Sequence, residues 1–114
     1  MITSAILACV PDLMDRSKVA AAAATAGREL TFVAPAALAA ALATADGLVL
    51  VDLSRPGVID AIAAAPPRAG RSIVGFGSHV DRDTLDAATA AGCTQVHPRS
   101  TFFTRLPALL TLLT

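Results

Sequence analysis

Five short apolar runs alternate with five helix-like stretches along the 114 residues. No other feature of the chain restricts its fold as tightly. A strand–helix–strand repeat has to cross over its own sheet, and such crossovers build parallel sheets. The runs are apolar throughout rather than alternating with polar residues, the pattern of strands buried on both faces. The third run is the clearest: Gly47-Leu48-Val49-Leu50-Val51 carries no polar side chain before Asp52.

The spacing predicts strands over 4–10, 30–34, 48–51, 72–77 and 94–97. Asp12 or Asp15 is expected to cap a first helix that runs to residue 26, with Gly27 as its stop. Pro35 opens a short Ala/Leu helix ending near residue 44. A third helix over 58–65 is stopped by Pro66-Pro67. Asp81 caps a fourth that ends at Gly92, and the last spans 101–113. Within it, Pro107 should either start the regular helix or kink it.

Right-handed crossovers leave few ways to connect these elements. The simplest is a single α/β domain over 1–114: a doubly wound, five-stranded parallel sheet of flavodoxin-like strand order 2-1-3-4-5, with helices on both faces. Ligands of such sheets bind beyond the C-terminal strand tips. Here those tips carry Asp12, Asp52, Ser78, His79 and His97, which are expected to line one crevice.

Composition narrows the function classes. Apolar residues make up 54% and charged residues 16%, which excludes a disordered chain. Nine basic and nine acidic residues cancel, and no basic stripe stands out. There are four Phe and no Trp or Tyr, so base stacking has little to work with. Nucleic-acid binding is not expected. Cys9 and Cys93 sit among apolar residues with no Cys-x-x-Cys spacing, and read as core residues of a reduced, cytoplasmic protein. No positively charged leader and no long charge-free apolar stretch stands in the sequence, so neither a signal peptide nor a membrane span is expected.

Leu48-Val49-Leu50-Val51-Asp52-Leu53-Ser54-Arg55-Pro56-Gly57 resembles the strand end that carries the phosphoacceptor in receiver domains of two-component response regulators. Ala90-Ala91-Gly92-Cys93 is similar to that family's lead into the fifth strand, and His97-Pro98 to its Lys-Pro. The resemblance covers essentially the whole chain. It implies Asp52 as phosphoacceptor, and a magnesium ion held by Asp52 with an acidic pair at the end of the first strand. It also implies a hydroxyl and a lysine, from the fourth and fifth strand ends, on the phosphoryl oxygens.

The chain departs from that pattern at each helper. The acidic pair falls on Pro11-Asp12, or on Val10-Pro11 one residue earlier. At best Asp12 and Asp52 would hold magnesium, and only weakly, so no cofactor is expected. The hydroxyl position falls on Gly77, with Ser78 next, and His97 replaces the lysine. Imidazole carries its charge only below a pH of about 6.5. The segment over 92–98 is also about two residues shorter than in a usual receiver. The expectation is therefore an atypical or pseudo-receiver, a non-enzymatic signalling module acting through a protein partner. One alternative is a working receiver phosphorylated on Asp52. The other is a ligand-binding protein or enzyme using an Asp52/His79/His97 crevice.

Other motifs have blander explanations. Gly75 and Gly77 invite a phosphate-loop reading, but no Gly-x-Gly-x-x-Gly or Gly-Lys-Ser/Thr is present. A tight strand exit, with Asp81 capping the next helix, explains them as well. Asp52 itself can be a loop cap bonded to nearby amides. Ser54 and Ser78 sit in no nucleophile elbow. Phe102, Phe103, Leu106, Leu109, Leu110 and Leu113 give the last helix more apolar surface than one stripe requires. The excess predicts a face for a partner or for a second copy, a possible homodimer.

Overall fold

The computed structural model describes residues 5–112. The expected starts and ends that fall on Ser4 and Leu113 lie outside them. The elements run in strict alternation: β1 (Ile6–Cys9), α1 (Leu13–Thr25), β2 (Leu30–Phe32), a 3-10 turn (Pro35–Ala37) leading into α2 (Leu38–Leu42), β3 (Gly47–Asp52), α3 (Val58–Ala64), β4 (Arg71–Gly77), α4 (Arg82–Ala91), β5 (Gln95–Pro98) and α5 (Arg99–Leu112). All strand pairs are parallel and the sheet order is β2-β1-β3-β4-β5. This is the expected flavodoxin-like winding.

The sheet buries both faces because its strands alternate between two apolar layers. Leu48 and Leu50 point into one layer, with Val19 and Ala23 of α1 and Phe102, Leu106, Leu109 and Leu110 of α5. Val49 and Val51 point into the other, with Leu38 and Leu42 of α2, Val58 and Ile62 of α3, and Leu85 and Ala88 of α4. Two partners per strand are what make the β3 run continuously apolar.

Helix caps follow sequence chemistry. Asp12, not Asp15, caps α1: its Oδ1 accepts from the Asp15 amide at 3.0 Å. Asp81 caps α4, accepting from the Thr84 amide at 3.2 Å and the Thr84 hydroxyl at 2.7 Å. Arg28, buried, donates to the Leu110 carbonyl at 3.0 Å and so ties the end of α5 to the loop after α1.

Most boundaries shift by a residue or two, and two shifts have a clear cause. β2 stops at Phe32, because Val33 and Ala34 lead into the proline-started 3-10 turn. α5 begins at Arg99, directly after β5, without the short lead-in expected before Thr101. Of the two roles expected for Pro107, it does not start the helix but lies inside it. A proline there removes one helix hydrogen bond at a cost of about 3 kcal/mol, which the packing of Phe102, Leu106, Leu109 and Leu110 must offset.

That packing takes Phe102, Leu106, Leu109 and Leu110 out of the docking face expected on α5, while Phe103 is half-buried and Leu113 lies outside the described residues. Phe102, Leu106, Leu109 and Leu110 are buried core residues, and Phe103 is packed against Phe76 and Phe102. The buried part of its apolar surface faces the sheet and α1, since a helix wedged beside an alanine-rich neighbour needs a wide stripe. The large apolar side chains that do stand exposed are Leu13, Met14, Val80 and Leu112.

Candidate functional site

The sheet register decides which side chains meet at the C-terminal edge. Cys9 pairs with Val51, so one step further Val10 stands level with Asp52. Val10, level with Asp52, and Pro11 beyond it both lack a carboxylate. Asp12 comes one residue later, exposed and occupied with capping α1. The Asp15 amide bond, and more weakly Arg99 and Arg55, holds its carboxyl below the usual value.

Asp52 ends β3 and is 3% exposed. Both of its oxygens are engaged by its own loop. Oδ1 accepts from the Ser54 amide at 3.0 Å and the Ser54 hydroxyl at 2.7 Å. Oδ2 accepts from Arg55 Nε at 3.2 Å. The loop is closed by Leu53, whose amide donates to the Phe76 carbonyl at 2.9 Å, and by Gly57, whose φ of +82° leads the chain into α3.

Leu53 also explains Gly75. A Cβ at that position would stand 2.8 Å from the Leu53 side chain. The glycine is required by this close approach rather than by an unusual backbone angle, the tight-exit reading of the motif and not the phosphate-loop one.

Beyond Asp52 opens a crevice of about 370 Å³, floored by Phe76 and lined by Asp52, Ser78, His79, Arg99 and Ser100 among others. Of the expected crevice residues it gathers Asp52, Ser78 and His79. Ser78 is exposed, and its Oγ accepts from the Val80 amide at 3.4 Å, turned toward its own turn. His97 does not line the crevice, so the expected convergence of Asp52, His79 and His97 on one point is not met. His97 shares a sheet face with Phe76 and Asp52, two strands out from Asp52, and its ring is held by its own strand instead. There its Nε2 is 2.8 Å from Gln95 Oε1, and burial, helped by nearby Arg105, lowers its pKa. It is neutral at pH 7 and offers the crevice no fixed cation. Pro11 also misses the crevice, in a separate depression with Val10, Arg16 and Phe32.

The cation of the crevice is Arg99, which lies just before the helix expected over 101–113. It is the first residue of α5, and its guanidinium bonds Asp15 Oδ1. It also stands 5.3 Å from the Phe103 ring centre and 5.8 Å from that of Phe76. Asp15 is 1% exposed, and its second oxygen is buried without a partner. The hydrogen bond to Asp15 is the main reason that the charged form of Arg99 is strengthened, with smaller contributions from Asp52 and Asp12. The i,i+3 spacing of Asp52 and Arg55 was a usable signal. The Asp15–Arg99 pair, 84 positions apart, gave none.

Among the described residues no three His, Cys, Asp or Glu side chains gather as a metal site. Nor is any helix among them long and apolar enough to cross a membrane. Both cysteine thiols are pushed up to about 11, chiefly by burial, so neither is a ready nucleophile.

No family model matches the sequence, and no curated protein matches it. Solved structures do. A response regulator from Hahella chejuensis superposes with a TM-score of 0.79 at 20% identity, over 96% of this chain and 93% of that one. The phosphorylated cyanobacterial phytochrome response regulator RcpA gives 0.73 at 18% identity, over 96% and 89%. A signal receiver domain of a histidine kinase from Clostridium thermocellum gives 0.72 at 14% identity, over 94% of each. The register, the strand order and these superpositions agree: this chain has the fold of the response-regulator receiver domains, in a sequence far diverged from those it matches.

Proposed function

We propose that the chain is a pseudo-receiver, a non-catalytic signalling module that acts by binding a protein partner and not by accepting a phosphoryl group on Asp52. The carrying observation is the engagement of Asp52. Both oxygens already accept bonds within the loop, which lowers their reactivity toward an incoming phosphorus atom. A receiver also needs groups that stabilise charge on the transferred phosphoryl. Here Val10, level with Asp52, and Pro11 beyond it carry no carboxylate, the lysine is a neutral histidine held by Gln95, and the remaining cation is held by Asp15. A switch driven by phosphorylation would have only the Ser78 hydroxyl and His79 to draw in, without a fixed cation.

The balanced charge of the chain fits a cytoplasmic protein-binding role better than a nucleic-acid one. Self-association through α5 would use Leu112, the half-buried Phe103 and the polar outer side of that helix, since Phe102, Leu106, Leu109 and Leu110 are core. The function is tested by incubating the folded protein with acetyl phosphate and magnesium and reading its intact mass. The expected result is no phosphoryl adduct. An adduct mapped to Asp52, and lost in Asp52→Asn, would establish the working receiver instead.

A further inference from the structure

We propose that two guanidinium groups, those of Arg55 and Arg99, balance the acidic end of this sheet in the place where a receiver relies on a divalent cation. Three carboxylates meet this region: Asp52 at the tip of β3, and Asp12 and Asp15 at the start of α1. The two buried ones each have an arginine, Arg55 on Asp52 at 3.2 Å and Arg99 on Asp15. The exposed one, Asp12, is stabilised in its charged form by both arginines, after its own helix-cap bonds. Arg99 in turn feels all three carboxylates.

The donor set does not fit magnesium. That ion needs carboxylate oxygens in near-octahedral geometry and keeps most of its waters. Asp52 already spends three acceptor positions on Ser54 and Arg55. Asp12 spends one on the α1 amides, and Asp15 is sealed beneath Arg99. A cation arriving here would have to displace Arg55 from Asp52 while meeting the charge of Arg99. Guanidinium suits the substitution, because it is always charged, weakly hydrated and able to lie against aromatic rings. Arg99 does so beside Phe76 and Phe103.

The consequence is a crevice whose shape and charge are indifferent to divalent ions. The experiment compares the wild type with Arg99→Ala and with Arg55→Ala. It reads the shift in melting temperature on adding magnesium against sodium chloride of equal ionic strength, and the broadening of the Asp52 and Ser54 amide signals by manganese. The wild type should show no magnesium-specific shift. Each variant should gain one, and should broaden at a manganese concentration about tenfold lower, the effect expected when one positive charge is removed from beside a carboxylate. Should Arg99→Ala fail to fold, Arg55→Ala carries the same comparison. A wild type that responds as strongly as the variants would overturn the proposal. So would folded variants that respond no more than the wild type. The inference rests on reading the crevice as degenerate, yet the two fail separately. A phosphoryl adduct on Asp52 defeats the pseudo-receiver, whereas unchanged ion responses defeat the role of the arginines.

Discussion

The two buried aspartates solve the same problem in different ways. Asp52 is 3% exposed and Asp15 1%, and each is paired with an arginine. Asp52 draws its partners from the next three residues, two from Ser54 and one from Arg55. Asp15 relies on one guanidinium from the far end of the chain, and its other oxygen is buried with no partner. A local cluster forms whenever its own loop forms. A long-range pair forms only once α1 and α5 have docked, so its stabilisation belongs to the assembled fold. The difference separates a self-sufficient loop from a contact that reports on tertiary structure.

Removing the arginines one at a time is the severest way to break this comparison. Arg99→Ala leaves a buried carboxylate with no partner, a change that costs about 3–5 kcal/mol when both charges are buried. Because the Arg99 side chain is 47% exposed, solvent screening reduces this, and about 2–3 kcal/mol is expected. Arg55→Ala leaves Asp52 with both Ser54 bonds and should cost less than about 1 kcal/mol. Denaturant unfolding of the two variants decides the matter. Equal losses would mean that Asp15 is no more dependent on its distant partner than Asp52 is on its near one.

A smaller effect probes the loop from its underside. Gly75→Ala would place a Cβ against Leu53, and overpacking of this kind costs about 1–3 kcal/mol. The cost should fall mostly on the loop that positions Asp52, leaving the Arg99–Asp15 contact intact. Combining Gly75→Ala with Leu53→Ala should remove the clash, so the double variant should be no less stable than Leu53→Ala alone. A double variant that loses the full sum would show that Gly75 serves some other purpose.

This contrast also marks what could be read before any coordinates. The fold was legible because its determinants are local: the β3 run, the Asp12 and Asp81 caps, and the breaks at Gly27, Pro66-Pro67 and Gly92 each act over a few residues. Asp52 at the strand tip was legible for the same reason, and so was its bland role as a loop cap. Arg99 was not. Its function depends on which residue α1 presents 84 positions earlier, and no spacing rule carries that distance. His97 was legible as the residue level with Asp52 on the same sheet face, but not as a ring held by Gln95 two residues earlier and kept out of the crevice. The α5 leucines were legible as apolar but not as inward, since an excess of apolar positions does not say which neighbour absorbs it.

The smallest expected effect concerns pH, and it tests the placement of His97. Burial and Arg105 hold this ring below its ordinary pKa of 6.5. Above that value the ring is neutral in both folded and unfolded chains, and the stability linked to it is fully present. As pH falls beneath 6.5 the unfolded chain binds a proton first, so stability declines until the folded pKa is passed. The cap at Asp12 has its carboxyl lowered from 3.8 and titrates far beneath that window. Unfolding free energies measured between about pH 7.5 and 5.5 should therefore fall by less than about 1 kcal/mol, because water screens a partly exposed ring. His97→Gln should flatten that decline. An unaltered slope in the variant would put the titrating group elsewhere. Stability that instead rises as pH falls would mean that the ring gains a carboxylate partner on folding, and that His97 turns into the acidic crevice after all.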